Sequence, residues 1–365
     1  MMTSLNPMSA AVCSITMWFS ALRQLLVSGA SILLVLWGFG ERPVAWAQLD
    51  RVYPVTGSAV TGSVTDITPD GIAITVGGAS QNFRVDEIRK MTLEGDPGPL
   101  TRGRDLFLEG QYQSAVEQLR TVDAAATSRE YIAADALFFR AASEAKLALA
   151  GQGNADGARA SLLDFAKKHS KSIHFYPAAE LLGDLAVTGG DFENATRFYG
   201  ALAKSASPAL KMRASYLLAL AAVRQGKADQ AASEFDKVLA GTLETSTAKR
   251  LKMLARAGRA VAKAKLGEGA AALESINELI AELNPADAEI AARVYNARGA
   301  ANEALGDVEG AILDYLHTSL LFSSVGDAHA EALTRLAELW PKIGKPENAA
   351  AARQELQTRY PGWKG

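Results

Sequence analysis

Gly190-Asp191-Phe192-Glu193-Asn194-Ala195 and Gly306-Asp307-Val308-Glu309-Gly310-Ala311 are two copies of one element, a glycine followed five residues later by an alanine. The element occurs seven times, as Gly110/Ala115, Gly153/Ala158, Gly190/Ala195, Gly226/Ala231, Gly267/Ala272, Gly306/Ala311 and Gly344/Ala349, at intervals of 36 to 43 residues. Two helices and two short turns need about that length, so the repeat has the size of a helical hairpin.

Other columns align on the same glycines. Seven residues before them stand Gly103, Lys146, Gly183, Ala219, Ala260, Gly299 and Ala337, small in six cases. Nine residues after them stand Leu119, Leu162, Tyr199, Phe235, Ile276, Tyr315 and Arg353, and twelve after them Val122, Phe165, Leu202, Val238, Leu279, Thr318 and Leu356. The glycine ends a first helix, where a left-handed backbone is needed. The small residue before it and the alanine after it let helices approach closely, and the large residues fill the space between hairpins. Each hairpin leaves an apolar face that only the next one covers. Seven hairpins therefore predict an α-solenoid over residues 98–365.

These columns resemble the tetratricopeptide repeat. The clearest copies are Leu182-Gly183 with Gly190-Asp191-Phe192 and Ala195, and Tyr295 with Gly299, Gly306-Asp307-Val308 and Ala311. Lys146 and Arg353 depart from the pattern. The resemblance implies a non-catalytic array that binds proteins or extended peptides along a groove lined by the first helices. Carried over by position, thirteen and ten residues before the glycines, the groove candidates are Arg213 and Tyr216, Leu254 and Ala257, and Arg293 and Asn296. Ala300 stands where a carboxylate clamp of this family would need a second-turn asparagine, so that clamp is not expected.

Residues 48–97 read differently. Glycine and β-branched residues alternate in Val60, Gly62, Val64, then Ile72, Ile74, Val76, then Phe83, Val85, with turn signals at Thr68-Pro69-Asp70-Gly71 and Gly77-Gly78. Period two means strands. Four or five strands in so short a span predict a small all-β barrel-like domain, and Gly62-Ser63-Val64-Thr65-Asp66-Ile67 followed by Gly71-Ile72-Ala73-Ile74 resembles small SH3-like or Sm-like barrels. Pro97-Gly98-Pro99 then marks a boundary, since proline restricts itself and the residue before it. Such a module either packs against the helices or carries a ligand or peptide site of its own.

Residues 1–47 read as a signal peptide. Arg23 is the only charge before the apolar run Leu25–Phe39, which is short for a membrane span. Ala45-Trp46-Ala47 fits small-x-small cleavage and predicts a mature chain from Gln48, with Met8 and Met17 as alternative starts. An uncleaved segment anchoring the chain to the inner membrane is the competing reading, and the only one that brings membrane contact. Either way the destination is periplasmic or otherwise exported. Cys13, the single cysteine, precedes the apolar run, so the mature chain has no disulfide, no thiolate nucleophile and no cysteine-ligated zinc.

Formal charge is −2 over 365 residues, so no global field favours nucleic acid. One local cluster stands out: Lys249, Arg250, Lys252, Arg256, Arg259, Lys263 and Lys265 contain no acid among them, and 249, 252, 256, 259 and 263 share a helix face. Either acidic side chains of neighbouring helices, such as those around Glu274 and Glu278, neutralise this stripe, or an acidic partner docks on it through Arg256 and Lys263. His169, His174, His317 and His329 form no metal set, Gly151-Gln152-Gly153 is a turn, and no nucleophile elbow, phosphate loop or acid and base pair is present. No catalytic residue, cofactor, metal, nucleic acid or small-molecule substrate is expected. The reading is an exported, non-catalytic scaffold for protein partners in cell-envelope organisation or assembly. The alternative is a ligand- or wall-polymer-binding protein that acts through the β domain, with the repeats as spacer.

Overall fold

The computed structural model describes residues 49–363 apart from Ser128 and Pro285, all within one compact unit, Ala47–Gly365. The signal segment and its cleavage site lie outside the described residues.

Five strands come first: β1 (Asp50–Pro54), β2 (Val60–Thr68), β3 (Gly71–Val76), β4 (Ala79–Arg84) and β5 (Ile88–Thr92). They form one antiparallel sheet in the order β4-β3-β2-β1-β5, open between its β4 and β5 edges. A bulge between Val64 and Asp66 shifts the alternation, so that both Val64 and Ile67 face inward beside Val52, Ile72, Ile74 and Met91.

Among the described residues fourteen α-helices follow in seven hairpins: α1 (Gly98–Leu108) with α2 (Tyr112–Arg120), α3 (Glu130–Leu149) with α4 (Ala155–Lys168), α5 (Phe175–Thr188) with α6 (Phe192–Leu202), α7 (Pro208–Arg224) with α8 (Ala228–Leu239), α9 (Ser246–Lys265) with α10 (Gly269–Ala281), α11 (Ala288–Leu305) with α12 (Val308–Leu321), and α13 (Gly326–Leu339) with α14 (Pro346–Arg359). The alanine of the repeated element is the fourth residue of every second helix and is buried in all seven. Side-chain caps start many of the helices, among them Asp191 on α6, Ser207 on α7, Thr245 on α9 and Asp307 on α12.

Six of the seven repeat glycines adopt the left-handed backbone, with φ between 71° and 86°. The exception is a correction to the sequence reading. In the second hairpin Gly151, at φ 73°, makes the turn, and Gly153 stands two residues further along a longer loop. Columns counted back from Gly153 therefore do not apply to α3, and counted back from Gly151 the small-residue column falls on half-buried Glu144, so this hairpin departs from the column in either register.

Small meets large inside each hairpin. A Cβ added to Gly103 would stand 2.5 Å from Leu119, one on Gly299 would stand 2.9 Å from the Tyr315 ring, and one on Gly183 would run into the Tyr199 ring. Gly258 of α9 makes the same contact with Phe235 of the preceding hairpin, so the rule also holds between hairpins. Arg353 breaks the large column in the seventh hairpin. It is exposed, and its guanidinium donates to the Ala337 carbonyl at 2.9 Å, at the position where a ring would otherwise pack.

The sheet is part of the helical core. Val52, Val64, Ile72, Ile74 and Met91 belong to one apolar cluster with Leu100, Leu119, Phe138, Phe139, Phe165 and Leu182. Polar ties reinforce it. Buried Asp50 accepts from Val64 N at 2.7 Å, Glu94 N at 2.8 Å and Arg129 at 2.6 Å; burial alone would raise its pKa, but these donors hold it below its ordinary value. Asp96, Arg104, Asp135 and His174 form a second buried chain, with Arg104 at 3.0 Å from Asp96 and 2.8 Å from Asp135, and His174 at 2.7 Å from Asp135. At the far side of the sheet Asp70 accepts from Ser205 and Ala206, and Asp86 from Ser207, in the loop between α6 and α7.

Tyr199 donates its hydroxyl to Asp184 at 2.8 Å. Burial, helped by the nearby Glu180 charge, pushes Asp184 from its ordinary 3.8 up to about 6. The folded chain thus holds a proton there at pH values where the unfolded chain has lost it. Asp184 favours the fold below about pH 4, and that contribution is lost as pH rises through 6, about 3 kcal/mol in total.

Two outcomes are expected. Asp184→Asn keeps an acceptor for Tyr199 and removes the buried charge, so its thermal midpoint rises by a few degrees at pH 7.5 and matches the parent at pH 4; an equal shift at both pH values contradicts the assignment. Gly258→Ala overpacks against Phe235 and costs about 1–3 kcal/mol, and Phe235→Leu in the same chain restores part of the loss. Strict additivity of the two changes in denaturation would show that they do not touch.

Candidate functional site

First helices of successive hairpins pack on one another, as α1 on α3, α3 on α5, α7 on α9, α9 on α11 and α11 on α13, while second helices do so far less. The array therefore coils with its first helices inside. The sheet takes up the inner side of the early hairpins, where β5 and the first helices leave a cleft of about 330 Å³ lined by Ile88, Met91, Phe138, Phe139, Leu181 and Lys146. The wall from α7 to α13 carries the sequence-predicted groove residues.

On that wall Arg213 pairs with Glu180 at 2.8 Å and lies over the Tyr216 ring, 5.7 Å from its centroid. Arg293 pairs with Asp327 at 2.7 Å, and Asn296 donates to the Ala328 carbonyl at 2.9 Å. Tyr216 and Asn296 are buried between neighbouring first helices, as are Leu254 and Ala257, because the tight coil covers that column. Three side-chain atoms here have no hydrogen-bond partner among the described residues: the Tyr216 hydroxyl, Arg293 Nε and Asn296 Oδ1. Burial raises the Tyr216 pKa, with Arg293, Glu289, Arg213 and Asp327 all within electrostatic reach of its hydroxyl.

Arg256 and Lys263 lie apart from these four, on the flank where α9 meets α10. Arg256 pairs with Glu282 at 2.7 Å and Lys263 stands 3.7 Å from Glu268. Lys249 and Lys252 pair with Glu244, Arg250 with Asp287 and Glu289, and Arg259 with Asp236. Neighbouring elements thus neutralise most of the basic stripe, with Glu282, one turn beyond Glu278, among the acids that do so.

Several residues of the wall escaped the sequence reading. Glu180, Asp327, Asp287 and Glu303 each meet an arginine 32 to 37 residues away, one repeat along the chain. Opposite charges one repeat apart were the signal that could have found them. Glu331, whose pKa burial raises against the pull of Arg293, was missed for the same reason. Leu313, Leu320 and Leu321 form an exposed apolar stripe on α12 that the large-residue columns did not mark.

Among the described residues, no group of three or more His, Cys, Asp or Glu side chains is placed to hold a metal ion, and no helix is long and apolar enough to cross a membrane.

No family profile matches the chain, and no curated protein matches it. Among solved structures it is similar to a tetratricopeptide repeat protein from Parabacteroides merdae, at 18% identity over 72% of this chain and 92% of that one, with a TM-score of 0.52. Weaker likenesses are to the apo form of RapI, at 13% identity over 73% and 77% of the two chains with a TM-score of 0.43, and to the TPR domain of P58(IPK), at 19% identity over 72% of each with a TM-score of 0.26. Identities this low speak to the fold alone, and the first structure carries it: the chain folds as a tetratricopeptide-repeat solenoid that opens on a small antiparallel sheet.

Proposed function

We propose that this protein is a non-catalytic scaffold that binds protein partners through an extended segment laid against the inner wall of α7 to α13. The observation that carries the reading is the charged lining of that wall, where the partly exposed Arg213 and Arg293 stand paired with Glu180 and Asp327 beside the buried Tyr216 and Asn296. Guanidinium and carboxylate groups that reach solvent along this wall can exchange such pairings for the carbonyl, amide and charged groups of an extended peptide. Arg213, Arg293, Asp327 and Glu331 together suit a partner with side chains of both signs.

The same reading places the protein in the exported compartment, supported by the apolar run Leu25–Phe39 and the small-x-small site Ala45-Trp46-Ala47. Its role there is to organise or assemble envelope proteins. The sheet acts as part of the scaffold, since its inward residues share the apolar cluster of the first hairpins. No residue is assigned a catalytic role.

A random peptide library panned against the full chain tests this. We expect peptides that bind in the micromolar range and bind Arg213→Ala at least fivefold more weakly, with an unchanged circular dichroism spectrum as the check on folding. Equal binding by the variant removes Arg213 from the site. Recovery of no specific peptide removes the scaffold reading.

A further inference from the structure

The four residues that follow α14 leave the helical array and turn back onto it. Tyr360 donates its hydroxyl to or accepts at His329 Nδ1, 2.9 Å away, and its ring meets the buried His329 ring edge-on at 5.6 Å. Pro361 and Gly362 form the corner of a turn closed by the Trp363 N–H donating to the Tyr360 carbonyl at 2.9 Å. Trp363 then donates its indole N–H to Thr334 Oγ1 at 3.1 Å, on the inner face of α13. The Arg224 guanidinium, from the last turn of α7, lies 4.3 Å from the centroid of the indole. Pro361 packs against the α3–α4 turn, where a Cβ on Gly151 would stand 3.7 Å from its Cδ.

These contacts belong to the second, fourth and seventh hairpins, so four residues bridge parts of the array that are remote in sequence. The segment is held as a peptide ligand is held. It has no helix of its own, one half-buried aromatic anchor, a cation over that anchor's face and one side-chain hydrogen bond to the wall. Thr334 lies one turn from Glu331, and Arg224 lies two turns from Tyr216 along α7, so the indole sits beside the wall assigned above to partners.

We propose that Tyr360–Trp363 is an internal ligand of the inner wall, occupying the place of a partner segment that presents an aromatic side chain after a tight turn. This rests on the scaffold reading and adds its regulation. A tethered segment acts at an effective concentration on the order of millimolar, so the free array is closed to weak binders and opens to partners that outcompete its own indole.

The test uses a dye-labelled peptide of residues 361–365 (PGWKG) and fluorescence anisotropy. The chain ending at Tyr360, which keeps the His329 contact, is expected to bind this peptide at least tenfold more tightly than the full chain does. Arg224→Ala in the shortened chain should weaken binding at least fivefold, with an unchanged melting curve by circular dichroism as the check on folding. Trp363→Ala in the full chain should open the wall as the truncation does, which provides a second route should the shortened chain fold poorly. Failure of the peptide to bind either opened chain, or equal binding to the full chain, overturns the proposal. Library peptides captured equally by full and opened chains overturn it too while leaving the scaffold reading in place; capture of none by either, with the 361–365 peptide still bound, overturns the scaffold reading instead.

Discussion

Close approach of helices at a small residue is the contact on which the rest of this structure depends. A helix pair can approach to the lower end of the usual 8–10 Å spacing only where one side presents glycine or alanine. Here Gly183 admits the Tyr199 ring, Gly299 the Tyr315 ring, and Gly258 the Phe235 ring of the preceding hairpin. With those approaches in place, the alanine at the fourth position of each second helix is fully covered, and one hairpin becomes the floor of the next. Enlarging either partner forces the rings out of their sites, and the stack loses the nearest-neighbour contacts that hold a solenoid together.

The sheet extends this logic at the start of the array. A first hairpin has no predecessor to cover its apolar face, and the inward residues of β1, β2, β3 and β5 supply that cover in a continuous cluster with α1 and α3. Hydrophobic contact is not directional, so the orientation comes from charge. Asp50 receives four donor contacts from β2, the strand-to-helix linker and Arg129, while Asp96, Arg104, Asp135 and His174 lock the linker to three helical segments. Removing one member of such a buried set leaves its partners charged and unpaired, typically at a cost of about 3–5 kcal/mol.

Much of the fold was legible because the repeat writes the same physical requirement seven times. Gly190 and Ala195, or Gly306 and Ala311, are readable from any one copy once the column is known. The second hairpin misled because its turn contains two glycines, and spacing to Ala158 selected Gly153 where the backbone uses Gly151. The inner wall was legible only in part. Arg213, Tyr216, Arg293 and Asn296 were found by position, but their burial depends on how tightly successive first helices coil, a quantity that no single repeat encodes. The fold-back of Tyr360–Trp363 was invisible, since Gly151, Arg224 and Thr334 share no spacing with that segment.

Repeat-spaced ion pairs add a second layer of control over that coil. Glu180 with Arg213, Arg250 with Asp287, Arg293 with Asp327 and Glu303 with Arg335 each join one first helix to the next. These pairs are only partly exposed, and pairs at that kind of surface contribute on the order of 1 kcal/mol each, too little to hold the stack against loss of its apolar columns. Their geometry is directional, however, and each spans a single step of the array. The apolar columns therefore hold the hairpins in the stack, and each charge pair ties one first helix to the start or side of the next. On the proposed reading, a segment bound on the inner wall would meet Arg213 and Arg293, the arginines of two of these pairs.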